Sequence, residues 1–196
     1  MSFEPFIPTR NAESPVSITG EKLNLRGLVA SIKNLKQLPT LSDLYALLEG
    51  FRVEWDELRP FVSFKPGTYA RHLLVRGEHA EALLLCWRPG QKTPIHDHNG
   101  SIGAIRVCGG VMWETMFTLD DTQTLRYHSG REWSDGYVTG ADLPDIHQIG
   151  NPEVSGQELI TLHIYAPPLG VLNTYKVGTS ETGQYSRNEF MDGAGI

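Results

Sequence analysis

The sequence contains no apolar run approaching the ~18 residues that span a bilayer. Residues 1–20 carry Glu4, Pro5, Pro8, Arg10 and Glu13 where an apolar leader would have to be continuous. No membrane association is expected, and the expected compartment is the cytoplasm. A basic stripe is missing as well. Lys and Arg together number 17 against 23 Asp and Glu, the formal net charge is −6, and the two signs are mixed along the chain. Nothing there could neutralise a phosphate backbone, so nucleic acid is excluded as a partner. Cysteine is scarce. Cys86 in ALLLCW and Cys108 in IRVCGG both lie in apolar, strand-like runs. They read as small buried hydrophobes rather than as a disulfide or a reactive thiol. Internal repeats and low-complexity tracts are also lacking.

What the chain does have is ordinary globular composition: 196 residues, 40% of them hydrophobic, with 20 Gly and 12 Pro. That length suits one domain with a sizeable core, and the Gly and Pro content points to many turns between short strands. Residues 1–20 read as an arm. Residues 21–60 read as helical, because Leu25, Leu28, Val29, Ile32 and Leu35 repeat at helical spacing and Thr40 opens a second run through Leu41, Leu44, Leu47 and Leu48. A third short helix is expected near Trp55 and Leu58. From residue 61 to 177 the texture changes to β-favouring runs of four to eight residues, as an antiparallel barrel demands. The expected strands are 68–75, 81–87, 104–109, 111–118, 123–128, 132–138, 146–149, 158–165 and 171–177. Residues 178–196 are polar and Gly-rich and read as a surface tail.

The densest chemistry lies in Pro94-Ile95-His96-Asp97-His98. Residues two apart in a strand share a face, so His96 and His98 can offer imidazoles to one ion. Asp97 points to the opposite side, and is either an outer-shell partner of the site or simply exposed. Glycines frame the pair: five residues separate Gly90 from His96, and eleven separate His98 from Gly110. Further on, Gly136 is followed by His147 and, three residues after it, by Asn151. This paired pattern resembles the two sequence motifs of the cupin superfamily, whose histidines meet inside a small β-barrel or jelly roll. The resemblance implies a metal on His96, His98 and His147. The chain departs from it at Gly103, where many cupins place a glutamate ligand, and at Asp142 and Pro144, which replace a Pro and a Gly. Three neutral imidazoles without that carboxylate leave a divalent ion its full charge and favour an incoming anion such as a thiolate. By donor chemistry alone the ion could be iron, zinc, copper or nickel.

Six blocks narrow the resemblance over roughly residues 40–180: Tyr69-Ala70-Arg71 with its following Leu pair, Leu85-Cys86-Trp87, His96-Asp97-His98, Glu114-Thr115, the His147 segment, and Thr161-Leu162-His163-Ile164-Tyr165-Ala166-Pro167-Pro168. They resemble the cysteine dioxygenase type I family of thiol dioxygenases, in its bacterial-type branch. The resemblance implies a mainly β cupin fold behind an N-terminal helical segment, with Fe(2+) as cofactor. It also implies a small thiol amino acid and O2 as substrates, and a sulfinic acid as product. It makes Arg71, with Tyr69, the substrate-binding pair, since a guanidinium fork can grip a carboxylate bidentately. Relatives acting on 3-mercaptopropionate carry glutamine there, so Arg71 tilts the expected substrate to L-cysteine, with 3-mercaptopropionate or another small thiol as the alternative. A non-catalytic metal-binding cupin that senses or binds is the alternative of another class.

Thr161, His163 and Tyr165 alternate on one strand face and are expected to form a hydrogen-bonded relay, with His163 orienting Tyr165 rather than binding metal. Gly103 stands where animal members carry a cysteine cross-linked to the active-site tyrosine, so no such cross-link forms here. The Ala166-Pro167 bond is expected to be cis by the same resemblance. His72, His79 and His128 read as surface residues. A monomer or weak homo-oligomer is expected.

Overall fold

The computed structural model describes residues 22–141 and 145–185. The expected arm 1–20, most of the expected tail, and the departures at Asp142 and Pro144 lie outside the described residues.

Helix α1 (Leu25–Lys33) opens where the Asn24 side chain accepts from Gly27 N, and it buries Leu28 and Ile32, one turn apart. Helix α2 (Leu41–Gly50) opens on a reciprocal capping box between Thr40 and Asp43 and buries Leu41, Leu44, Leu47 and Leu48. A single turn, α3 (Trp55–Leu58), follows. Its Glu57 accepts from Leu25 N at 2.8 Å, so one acidic side chain ties the short helix to the electropositive start of α1.

The strands are β1 (Ala70–Arg76), β2 (Glu81–Trp87), β3 (Ile95–His96), β4 (Ile102–Gly109), β5 (Val111–Leu119), β6 (Leu125–Ser134), β7 (Val138–Ala141), β8 (His147–Gly150), β9 (Leu159–Ala166), β10 (Leu172–Tyr175) and β11 (Thr182–Tyr185). They form a five-stranded sheet, β1-β2-β9-β4-β7, and a six-stranded sheet, β11-β10-β3-β8-β5-β6. The mainly β architecture behind N-terminal helices is the cupin arrangement that the resemblance implies.

Alternation along β2 shows how the layers stack. Ala82, Leu84 and Cys86 join Leu28, Ile32, Leu44 and Leu47 in the core between helices and sheet. Leu83, Leu85 and Trp87 join Met112, Ile149 and Leu172 in a second core between the two sheets. Every residue of β2 is therefore buried, and the strand reads as a continuous apolar run because it has no wet face. The cysteines lie where the sequence puts them. Burial pushes the Cys86 thiol up to about 11 and the Cys108 thiol up to about 12, so both stay protonated.

Three boundaries differ from expectation. The expected break at residues 129–131 falls inside one long strand, β6, where Ser129, Gly130 and Arg131 pair with Met116, Thr115 and Glu114, and the register shift lies one residue earlier, at His128 opposite Met116/Phe117. Residues 138–141 form a separate strand, β7, in the other sheet. Within the expected tail, Thr182–Tyr185 pairs with β10, although all four residues are exposed. Between β4 and β5, Gly110 has a φ of +89°, and a Cβ there would meet the Glu158 carbonyl at 2.4 Å. Only glycine permits that tight reversal.

Candidate metal centre

His96 and His147 sit directly opposite one another in the β3–β8 ladder, and His98 lies just past the end of β3. The ladder brings the first two together and the His-x-His spacing brings the third. One ligand nitrogen from each of the three lies within 4.8 Å of the others, and all three residues are buried. The ring centroids are 4.9 to 5.1 Å apart.

In each ring Nδ1 is engaged. It lies 3.0 Å from the Pro94 carbonyl in His96, 2.7 Å from an Asp145 carboxylate oxygen in His98, and 2.9 Å from a Glu114 carboxylate oxygen in His147. All three partners are acceptors, so each Nδ1 carries the proton and donates, and each Nε2 keeps its lone pair. The Nε2 atoms of His98 and His147 are buried and accept no hydrogen bond among the described residues. Converging buried lone pairs without donors are costly on their own. A cation relieves that cost, so the donor set fits a transition metal of the kind that imidazole favours.

Burial, reinforced by the neighbouring His147 and His98, holds His96 well below the usual imidazole range. Burial also lowers His98, against the pull of Asp145. Neutral rings are what a metal requires. For His147 burial works downward, but the Glu114 carboxylate outweighs it and raises the ring's pKa. Burial likewise opposes ionisation of Glu114, and the His147 contact overcomes it and lowers the carboxyl. Glu114 also accepts from Trp133 Nε1 at 2.8 Å.

These two carboxylates add to the sequence reading, in which the ligand set has no acidic member, since they stand against the Nδ1 atoms of the imidazoles and not among the three candidate ligands. Two negative groups stand immediately behind the imidazoles. A signal for Glu114 was present: it is the lone acid on the inward-facing side of β5, in phase with buried Met112. Asp145 had none, because its partner, His98, lies 47 positions away. Asp97 is neither behind a ligand nor idle. It accepts from Asn173 Nδ2 at 3.0 Å and from the Tyr175 hydroxyl at 2.6 Å, pinning β10 beside β3.

The cavity beside the imidazoles is lined by His96 and His98 together with Tyr69, Arg71, Thr93 and Tyr165. Its apolar walls are Leu85, Ile149, Leu169 and Leu172. Arg71 is the one guanidinium among the lining residues. Tyr69 is buried and stacks on Trp87 with centroids 4.0 Å apart.

Thr161, His163 and Tyr165 project from β9 into the space between the sheets. Thr161 Oγ1 is 2.8 Å from His163 Nε2, and His163 Nδ1 is 3.0 Å from the Tyr165 hydroxyl. Trp87, absent from the relay read in the sequence, extends it. Its Nε1–H donates to Thr161 Oγ1 at 3.0 Å, and an indole nitrogen only donates. The Thr161 hydroxyl has a second lone pair as well as its proton, so the tautomer of His163 sets the order; with the proton on Nδ1, His163 donates to Tyr165 and the phenol proton is left for the cavity. Burial, with the Arg71 charge, keeps His163 well below the usual range and hence neutral, with one ring nitrogen donating and the other accepting. Burial also raises Tyr165, which stays a protonated donor. Its ring lies 4.9 Å from that of His98.

Gly103 faces this tyrosine. A Cβ there would lie 2.9 Å from Tyr165 Cε1, so the ring occupies space that a side chain at 103 would need. The Ala166-Pro167 bond is cis. His72 contacts Ser63 Oγ at 2.9 Å near the surface, and His128 lies in β6 rather than in a turn.

A sequence model of the family described as cysteine dioxygenase type I matches residues 15–177. The human protein named cysteine dioxygenase type 1 is 26% identical over 167 residues, covering 79% of this chain and 82% of its own. The zebrafish (Danio rerio) protein of the same name is 25% identical over 161 residues, covering 77% and 78%. Among solved structures, a conserved protein with a double-stranded β-helix domain from Klebsiella pneumoniae superposes with a TM-score of 0.48 at 15% identity, over 70% of this chain and 98% of that one.

Proposed function

Because the chain belongs to the cysteine dioxygenase type I family, we propose that it is an Fe(2+)-dependent dioxygenase that converts L-cysteine and O2 to cysteine sulfinic acid. Thiol dioxygenase chemistry goes with the family. The observation that carries iron and cysteine is the convergence of three buried imidazoles beside a cavity with one guanidinium, Arg71.

His96, His98 and His147 would hold the metal. Zinc also suits imidazole but has no redox chemistry to offer an oxidation. Iron, when bound, supplies the place where thiol and dioxygen react, so that both oxygen atoms pass to sulfur. The Arg71 fork grips the substrate carboxylate and fixes its distance from the metal, and Tyr69 closes the same wall. Tyr165, protonated and oriented through His163, Thr161 and Trp87, donates a hydrogen bond to whatever charge gathers in the cavity. Leu85, Ile149, Leu169 and Leu172 exclude water, which strengthens each of these contacts.

Anaerobic iron loading followed by oxygen uptake with a panel of small thiols tests the proposal. L-cysteine is expected to be fastest, and Arg71→Gln to lower its kcat/KM by about 100-fold, the loss of a charge-assisted hydrogen-bond pair worth about 3 kcal/mol. If 3-mercaptopropionate reacts fast and cysteine does not, the substrate assignment falls while the thiol chemistry stands. Full iron occupancy without oxygen uptake for any thiol would turn the assignment towards a metal-binding module.

A further inference from the structure

Glu81 is a buried carboxylate, 1% exposed, that belongs neither to the histidine cluster nor to the relay. It opens β2 opposite Tyr165 of β9 and Arg76 of β1. One oxygen pairs with the Arg76 guanidinium. The other accepts from the backbone N–H of Leu169 at 2.9 Å, a contact across 88 positions of chain. A buried carboxylate is expensive unless its charge and lone pairs are met. Here a cation meets one oxygen and a loop amide meets the other, in a charge-assisted hydrogen bond.

The loop so held is short and placed to matter. It leaves β9 one residue after Tyr165, and the Leu169 side chain, 4% exposed, forms part of the cavity wall. Leu169 adds no polar contact, so its contribution to ligand choice is shape alone. Shape is discriminating here, since one extra methylene in an apolar pocket changes kcat/KM by about 10- to 200-fold.

We propose that Glu81, paired with Arg76, is a positioning residue that fixes how far Leu169 projects into the cavity, and so sets the length of thiol carboxylate that fits. The inference deepens the thiol dioxygenase reading and rests on it. Glu81 touches no reacting atom and acts through Leu169.

The test uses the full-length, iron-loaded protein. Selectivity is read as the ratio of kcat/KM for L-cysteine to that for L-homocysteine, one methylene longer. It is also read as the ratio of their dissociation constants by anaerobic calorimetry, with amide exchange at Leu169 measured alongside. Arg76→Met with Glu81→Leu removes the pair without stranding a buried charge, and is expected to speed exchange at Leu169 and lower both ratios about tenfold. Leu169→Ala is expected to do the same to the ratios. Combined with the paired substitution it should lower them no further, because both act on one wall. Glu81→Gln keeps an oxygen for the Leu169 amide and should hold both ratios close to wild type, at a cost in stability because Arg76 loses its counter-charge. The proposal is overturned if the paired substitution frees Leu169 to exchange yet leaves the ratios intact, or if its effect multiplies with that of Leu169→Ala. If no thiol drives oxygen uptake in the wild type, the thiol dioxygenase reading falls instead. The calorimetric ratio needs no turnover and decides the clamp by itself.

Discussion

The two sheets divide the work of the site and solve different packing problems. The five-stranded sheet lies between the helices and its partner sheet. Seven of the eight residues of β9 are buried, and so are all seven of β2. Its polar groups, Thr161, His163, Tyr165 and Glu81, are therefore each met by a specific partner. The six-stranded sheet has one wet face. Along β5, Met112 and Glu114 are buried while Trp113 between them is exposed. That sheet carries His96 and His147, with Glu114 behind His147. The sheet whose central strands β2 and β9 are buried on both sides holds the groups assigned to the substrate, and the half-wet sheet holds the groups assigned to the metal.

The division can be broken in three ways. The largest effect is expected from His147→Ala in the half-wet sheet, which should abolish iron retention by metal analysis, whereas Arg71→Gln in the other sheet should leave iron content unchanged. Loss of iron from both variants would mean that the sheets do not separate these roles. Next, Leu84→Ala leaves a hole between the helices and the doubly buried sheet and should lower stability by about 2–5 kcal/mol in denaturant unfolding. Trp113→Ala on the wet face should stay within about 0.5 kcal/mol. Equal losses would show that both sheets are closed on both faces. The smallest effect falls on the groups behind the ligands. Glu114→Gln keeps a hydrogen-bond acceptor for His147 but removes the charge, and should weaken iron binding by roughly 10- to 100-fold in a chelator competition. Unchanged affinity would make Glu114 a packing residue only.

How much of this could be read from the sequence depended on how local each signal was. The helices could be placed from their apolar spacing and the Thr40 cap, because these act within one or two turns. His96 and His98 could be paired from strand periodicity, and His147 joined them through the motif resemblance. The split of 123–134 into two expected strands failed because Ser129 and Gly130 look like a turn, while in the sheet they pair with Met116 and Thr115 beside a one-residue bulge at His128. Thr182–Tyr185 carries no apolar alternation, so its pairing with β10 left no trace in the pattern.

The sequence alone determined the class of fold, the three imidazoles and the residue types of the relay, since each follows from spacing along a single element or from a motif. Tertiary structure alone decided that Asp145 stands behind His98, that Trp87 joins the relay at Thr161, and that Glu81 holds Leu169. In each of these pairs the partners are 47 to 88 positions apart. Hydrogen-bond geometry acts over about 3 Å in space, and a pattern along the chain has no means of encoding which distant group will arrive there.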